Sequence, residues 1–297
     1  MQTGLDKRWV RDDNRRFGPS LAMPLRGSGP IVFLFRSPSV NRPDPAPSSW
    51  SRRALPVLAV GLLGIIALMG QAPPAALLAA APELAALPPW AQRAALALNP
   101  LLLVMAASAV GAALAHRVGL RSLLAGTAPA RQPLRLWAAS VGWGLFVGIA
   151  VQALDRLLSP AWSEGWRALV QAPPDLAGSR LVVGLLYGGL AEEVIARWGA
   201  MSLLAWALLR ALGPAHARLA LGLAVALSAL VFGAAHLPVL AVQVELETTL
   251  VARTLLLNGL GGVVYGWLFC RHHMEAAMAA HAATHLALAA LQAGLGG

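Results

Sequence analysis

Residues 181–197 read LVVGLLYGGLAEEVIAR. Eleven residues without a charge run straight into two adjacent carboxylates, and the stretch closes on an arginine. In a soluble protein such a run is an ordinary buried helix with a salt-bridged end. The rest of the chain removes that reading. Of its 297 residues 58% are hydrophobic and only 12% are charged, with a mean hydropathy of +0.64. Soluble domains carry about 25% charge, so this chain lacks the polar surface to cover itself in water. Disordered, collagen-like and disulfide-scaffold classes fall for the same reason, and the single Cys270 excludes an intrachain disulfide. The expected fold is all-α, a polytopic transmembrane bundle of about eight helices. Glu192, Glu193 and Arg197 then stand in or beside hydrocarbon, where an ionisable group costs several kcal/mol and points to function.

Outward from this stretch, apolar runs predict spans at about 54–71, 98–115, 134–154, 181–197, 219–237, 251–270 and 275–295. Each is close to the ~20 residues that cross a bilayer. A shorter apolar helix is expected over 199–212. Residues 72–97 (PPAALLAAAPELAALPPW and following) suggest short interfacial helices broken by proline, with Trp90 near the headgroups. Three parts follow: a basic, Pro/Ser/Arg-rich and disordered N-terminal extension over 1–53, N-terminal transmembrane helices and interfacial segments over 54–180, and a core over 181–295.

Charge orients the bundle. Residues 1–53 hold ten Lys/Arg against four Asp. A basic tail ahead of an apolar span marks the cytoplasmic side of a membrane, not a nucleic-acid partner. Arg117, Arg121, Arg131 and Arg135 put the 116–135 loop on the same side, whereas the 155–180 loop balances acids and bases and is expected outside. The fourth span then runs inward and carries residues 192–197 toward the cytoplasmic half.

Three polar clusters lie on three spans. In AEEVIAR, Glu193 and Arg197 are i and i+4 in the order that favours an ion pair, while Glu192 is turned about 100° away with no local partner. In FGAAHLP (232–238), His236 sits where Pro238 ends or kinks the helix. In HAATH, His281 and His285 are i and i+4 and project from one face. That spacing suits metal ligation, paired hydrogen-bond donation or polar contact between helices. Gly259, Gly261, Gly262 and Gly266 are expected to let neighbouring helices approach. If the clusters converge, two carboxylates, an arginine and three histidines suffice to activate water and stabilise an oxyanion. A proton- or metal-coupled transporter would also bury Glu and His, but the spans show no paired halves with matching broken helices.

In this order and placement, EEVIAR, FGAAH and GGVVYGWLF leading to AAMAAHAATH resemble the CPBP family of intramembrane proteases, also called the Abi or CaaX prenyl protease 2 (Rce1-like) family. The likeness runs from about Leu181 to Leu291. It implies an endopeptidase that cuts near a membrane-embedded or hydrophobic C-terminal or leader segment of a protein or peptide, with Glu192 and His236 activating water. It also implies that His281 and, by position, His285 stabilise the oxyanion while Glu193 and Arg197 organise the site. The family's last motif position is commonly Asn. His285 in its place adds a metal ligand, making His236, His281 and His285 candidates for a divalent ion such as zinc. Bacterial members resemble bacteriocin maturation or immunity factors and C-terminal sorting enzymes. One lysine among abundant Ala, Arg, Leu and Gly suggests a bacterial plasma membrane, with lipid and a hydrophobic peptide as partners. The alternative is a non-catalytic scaffold or immunity factor of the same fold.

Overall fold

A computed structural model describes residues 49–161 and 177–295. Most of the extension expected over 1–53, and the middle of the 155–180 loop, lie outside the described residues. Those described are helical, with no strand among them. The first helix, α1 (Trp50–Met69), starts four residues before the apolar run. Ser49 Oγ accepts from the Arg52 amide, Trp50 Nε1 donates to the Ala109 carbonyl at 3.3 Å, and Arg53 Nε donates to that of Ala112 at 2.8 Å. Polar side chains that find partners at a helix end extend the helix beyond its hydrocarbon-length run.

Two short helices follow, α2 (Ala75–Ala80) and α3 (Pro82–Ala85), as the proline-broken segment suggested. The second span differs from expectation. Instead of starting at 98, α4 runs Pro89–Leu114 straight through Pro100. Proline removes one backbone donor, and an apolar helix 26 residues long tolerates that inside a bundle. Next come α5 (Leu134–Leu158) and a continuous helical stretch in four pieces: α6 (Ala177–Val183), a π-helical segment Gly184–Glu192, a second Val194–Met201, and α7 (Ser202–Leu212). The expected separate helices 181–197 and 199–212 are thus one element. The chain closes with α8 (Ala217–Ala234), short α9 (Leu237–Ala241), α10 (Thr248–Arg271) and α11 (Met274–Leu295).

Five helical stretches among the described residues are long and apolar enough to cross a membrane: Trp50–Met69, Pro89–Val118, Leu134–Ala161, Arg180–Leu212 and Pro214–Ala241. This is an integral membrane protein. Helices α10 and α11, at 24 and 22 residues, have the length but are not among the five. They carry Asn258 and Arg253, and His281 and His285, respectively, which dilute their apolar character.

Without a hydrophobic drive between helices in lipid, close approach at small residues holds a bundle together. A Cβ on Gly144 of α5 would lie 2.0 Å from the Ala280 carbonyl oxygen of α11, and one on Gly148 2.6 Å from the Ala287 Cβ. On α4, a Cβ on Gly111 would strike the Trp198 ring at 2.2 Å; on α10, one on Gly262 would come within 2.8 Å of Ala229 of α8. Of the four glycines of α10 expected to pack, Gly262 and Gly266 do. Gly261 faces the Tyr265 ring one turn away on its own helix, and Gly259 meets nothing within 4 Å.

These contacts fix which ends share a face. The start of α1 meets the end of α4, and the turn after α4 is tied to the start of α11. There the Glu275 carboxylate accepts from the Ser122 hydroxyl (2.6 Å) and the Leu123 and Leu124 amides (3.0 Å each), and the Met274 amide donates to the Arg121 carbonyl. At the opposite face, Arg253 near the start of α10 forms a bidentate pair with Asp155 near the end of α5, at 2.5 and 2.6 Å. Gly144→Val should lower the stability of the detergent-solubilised protein by about 3 kcal/mol or more. Gly142→Ala, with open space around it, should leave the thermal midpoint unchanged or slightly higher.

Candidate active site

Chain topology brings every residue of the three clusters to one place. Glu193 and Arg197 are both fully buried and pair at 3.2 Å across i, i+4. Arg197 also donates from Nη2 to the Gly262 carbonyl at 3.2 Å, and its guanidinium lies 4.6 Å from the Phe232 ring centroid and 5.2 Å from that of Tyr265. A planar, weakly hydrated cation between two aromatic faces is among the least costly ways to keep a charge out of water. Glu193 Oε1 further accepts from His281 Nδ1 at 2.8 Å.

Glu192 points the other way. The π-helical segments close their turns over five residues rather than four, a geometry that recurs at functional sites. Glu193 is held inward between them, while Glu192, 19% exposed, lines a cavity of about 420 Å³. Opposite it stands His236, 34% exposed, with Nε2 4.0 Å from Glu192 Oε1. His236 Nδ1 must carry a hydrogen, because its partner at 2.8 Å is the Phe232 carbonyl, which only accepts. In the neutral ring Nε2 is therefore an acceptor facing the cavity. As expected, His236 sits at a break: α8 stops at Ala234, and Pro238 starts α9 in its first turn.

His281 joins the two halves of the site. Its Nδ1 rests on Glu193, and its Nε2 lies 3.9 Å from Glu192 Oε2. Its ring stacks on Tyr265 (centroids 4.5 Å, 18°) and on His285 (5.1 Å, 19°). His285 lies against a glycine track: a Cβ on Gly184 or Gly188 would come within 2.6 or 2.5 Å of its ring nitrogens. The track gives an imidazole room here. Stacked rings do not aim their nitrogens at a common point. Among the described residues no three or more His, Cys, Asp or Glu side chains are arranged to hold a metal ion.

Sequence reasoning passed over Tyr265 and Thr284. The Tyr265 hydroxyl donates to Thr284 Oγ1 at 2.7 Å, and Thr284 in turn donates to the Gly144 carbonyl at 2.9 Å. This chain of bonds fixes the ring on which His281 stacks. The available signal was the rarity of tyrosine: the protein has two, and both Tyr187 and Tyr265 line the cavity. A tyrosine in a membrane core needs a partner for its hydroxyl.

Residues 175–287 match the family model described as type II CAAX prenyl endopeptidase Rce1-like. Over this part the chain is similar to that family of peptidases. The match covers all three clusters and most of α11, as the resemblance in the sequence implied. No curated protein and no solved structure matches the chain.

Arg197→Met should strip Glu193 of its counter-charge and cost about 3–5 kcal/mol. Tyr265→Phe, removing one hydrogen bond, should cost about 1 kcal/mol. Thermal unfolding in a common detergent compares the two.

Proposed function

We propose that the protein is an intramembrane endopeptidase of a bacterial plasma membrane, cutting a peptide bond near a hydrophobic segment of a protein or peptide. The observation that carries this reading is the Glu192–His236 pair facing across the cavity. Groups 4.0 Å apart can both hold one water at about 2.8 Å.

The reaction follows from these positions. Glu192 and the His236 Nε2 lone pair accept hydrogen bonds from the water. Glu192 takes a proton as the oxygen attacks the carbonyl carbon, and the carbonyl π electrons move to oxygen. The imidazoles of His281, held at Nδ1 by Glu193, and of His285 would stand beside that oxyanion. The intermediate collapses as the C–N bond breaks, and the proton on Glu192 passes to the leaving amine, which restores the carboxylate. Glu193 and Arg197 touch neither water nor substrate in this scheme and act by positioning His281.

The test is proteolysis by the purified protein in nanodiscs against peptides with hydrophobic tails, with and without chelator. Glu192→Ala and His236→Ala should each lower kcat by about 10²–10⁴-fold while leaving the thermal midpoint near that of the wild type. Cleavage should persist in chelator; loss with recovery on adding zinc would reassign His236, His281 and His285 as ligands. A folded, fully active Glu192→Ala protein would leave the scaffold reading instead. Because the base must be ionised, kcat/KM should fall as pH is lowered, and a profile flat into acid would reject the general-base role.

A further inference from the structure

The two faces of the bundle differ sharply in charge. At the face holding the start of α1, the helix ends and turns carry nine arginines: Arg52, Arg53, Arg117, Arg121, Arg131, Arg135, Arg210, Arg218 and Arg271. Among the described residues they stand against one acid, Glu275. Membership of this face comes from contacts. Arg53 meets the end of α4, the turn after α4 is bonded to Glu275 and Met274, and the Trp137 ring of α5 lies 5.4 Å from that of His273. The Arg180–Leu212 stretch passes Gly64 of α1 at Ala191 and Gly111 of α4 at Trp198, so it ends on this face, where α8 begins. The opposite face has four arginines (Arg93, Arg156, Arg180, Arg253) and four acids (Glu83, Asp155, Glu245, Glu247). An excess of arginine in short loops marks the cytoplasmic side.

The cavity leads the other way. Besides Glu192, His236 and His281, it is lined by Arg180 and Arg253 from the charge-balanced end of the bundle and by Gln71, just beyond the far end of α1. Arg180 is exposed and lies twelve residues before Glu192, at most about 18 Å along the helix. No lining residue comes from the nine-arginine face. Between mouth and floor the walls include Val147, Val151, Val183, Leu257 and Leu288, with Tyr187, Asn258 and Thr284 among them.

We infer that the cavity opens on the non-cytoplasmic face and admits an extended apolar peptide segment presented from that side. The sidedness stands on charge and topology alone; the statement about the peptide rests on the endopeptidase reading.

The experiment places single cysteines in a Cys270→Ser background, Gln71→Cys or Arg180→Cys at the mouth and Arg131→Cys on the arginine face. A membrane-impermeant maleimide is added to right-side-out and inside-out vesicles. Both mouth cysteines should react at least tenfold faster in right-side-out vesicles, and Arg131→Cys tenfold faster in inside-out ones. A hydrophobic peptide added to right-side-out vesicles should slow labelling at the mouth. Reaction of the mouth positions from the arginine side, equally from both sides, or from neither overturns the inference, as does a peptide that protects only in inside-out vesicles. Labelling needs no turnover, so the expected sidedness without cleavage would fault the endopeptidase reading alone. Cleavage with the opposite sidedness would fault this inference alone.

Discussion

A guanidinium and a carboxylate with no exposure to solvent, Arg197 and Glu193, anchor the centre of the bundle. Neither charge is tolerable there singly, because desolvation costs more than one helix can recover. Their i, i+4 spacing supplies the pairing. The remaining stabilisation comes from other elements: a carbonyl from α10, aromatic faces from α8 and α10, and the imidazole of His281 from α11. The pair therefore ties four elements to one point, and each element brings a cavity residue with it.

That arrangement separates two neighbouring carboxylates by environment. Glu193 is sealed and serves as an acceptor for His281. Glu192, one residue earlier, keeps contact with the cavity and faces the part-exposed His236 across it. The π-helical backbone and the glycine track on the same element serve the same end, since removing side chains at Gly184 and Gly188 lets His285 lie flat beside Glu192's helix. Glycine here is a consequence of how closely α11 approaches, not of a turn.

Much of this was legible from residue types and spacing. Composition excluded water as the surrounding medium, and the periods of the apolar runs located most helices to within a few residues. Ionisable residues in those runs picked out six side chains that the fold brings together, because hydrocarbon makes each of them expensive. The misreadings have physical causes as well. Pro100 suggested a helix start, yet the helix passes through it. The gap between 181–197 and 199–212 suggested two helices, yet the backbone continues. Gly259 suggested packing, yet nothing approaches it. In each case the outcome depends on what lies across the interface, which local sequence does not record.

By itself, then, the sequence determined that the chain enters a membrane as helices and which of its groups hydrocarbon would penalise. Both follow from the transfer free energies of individual residues. Only the tertiary structure decided that Glu192 faces His236, that Tyr265 and Thr284 brace His281, that His281 stacks on His285, and that the cavity runs toward Arg180 and not toward the arginine-rich face. Those outcomes turn on contacts between residues tens to more than a hundred positions apart. Such contacts are set by how closely small residues let the helices approach and by the need to satisfy every buried polar group at once.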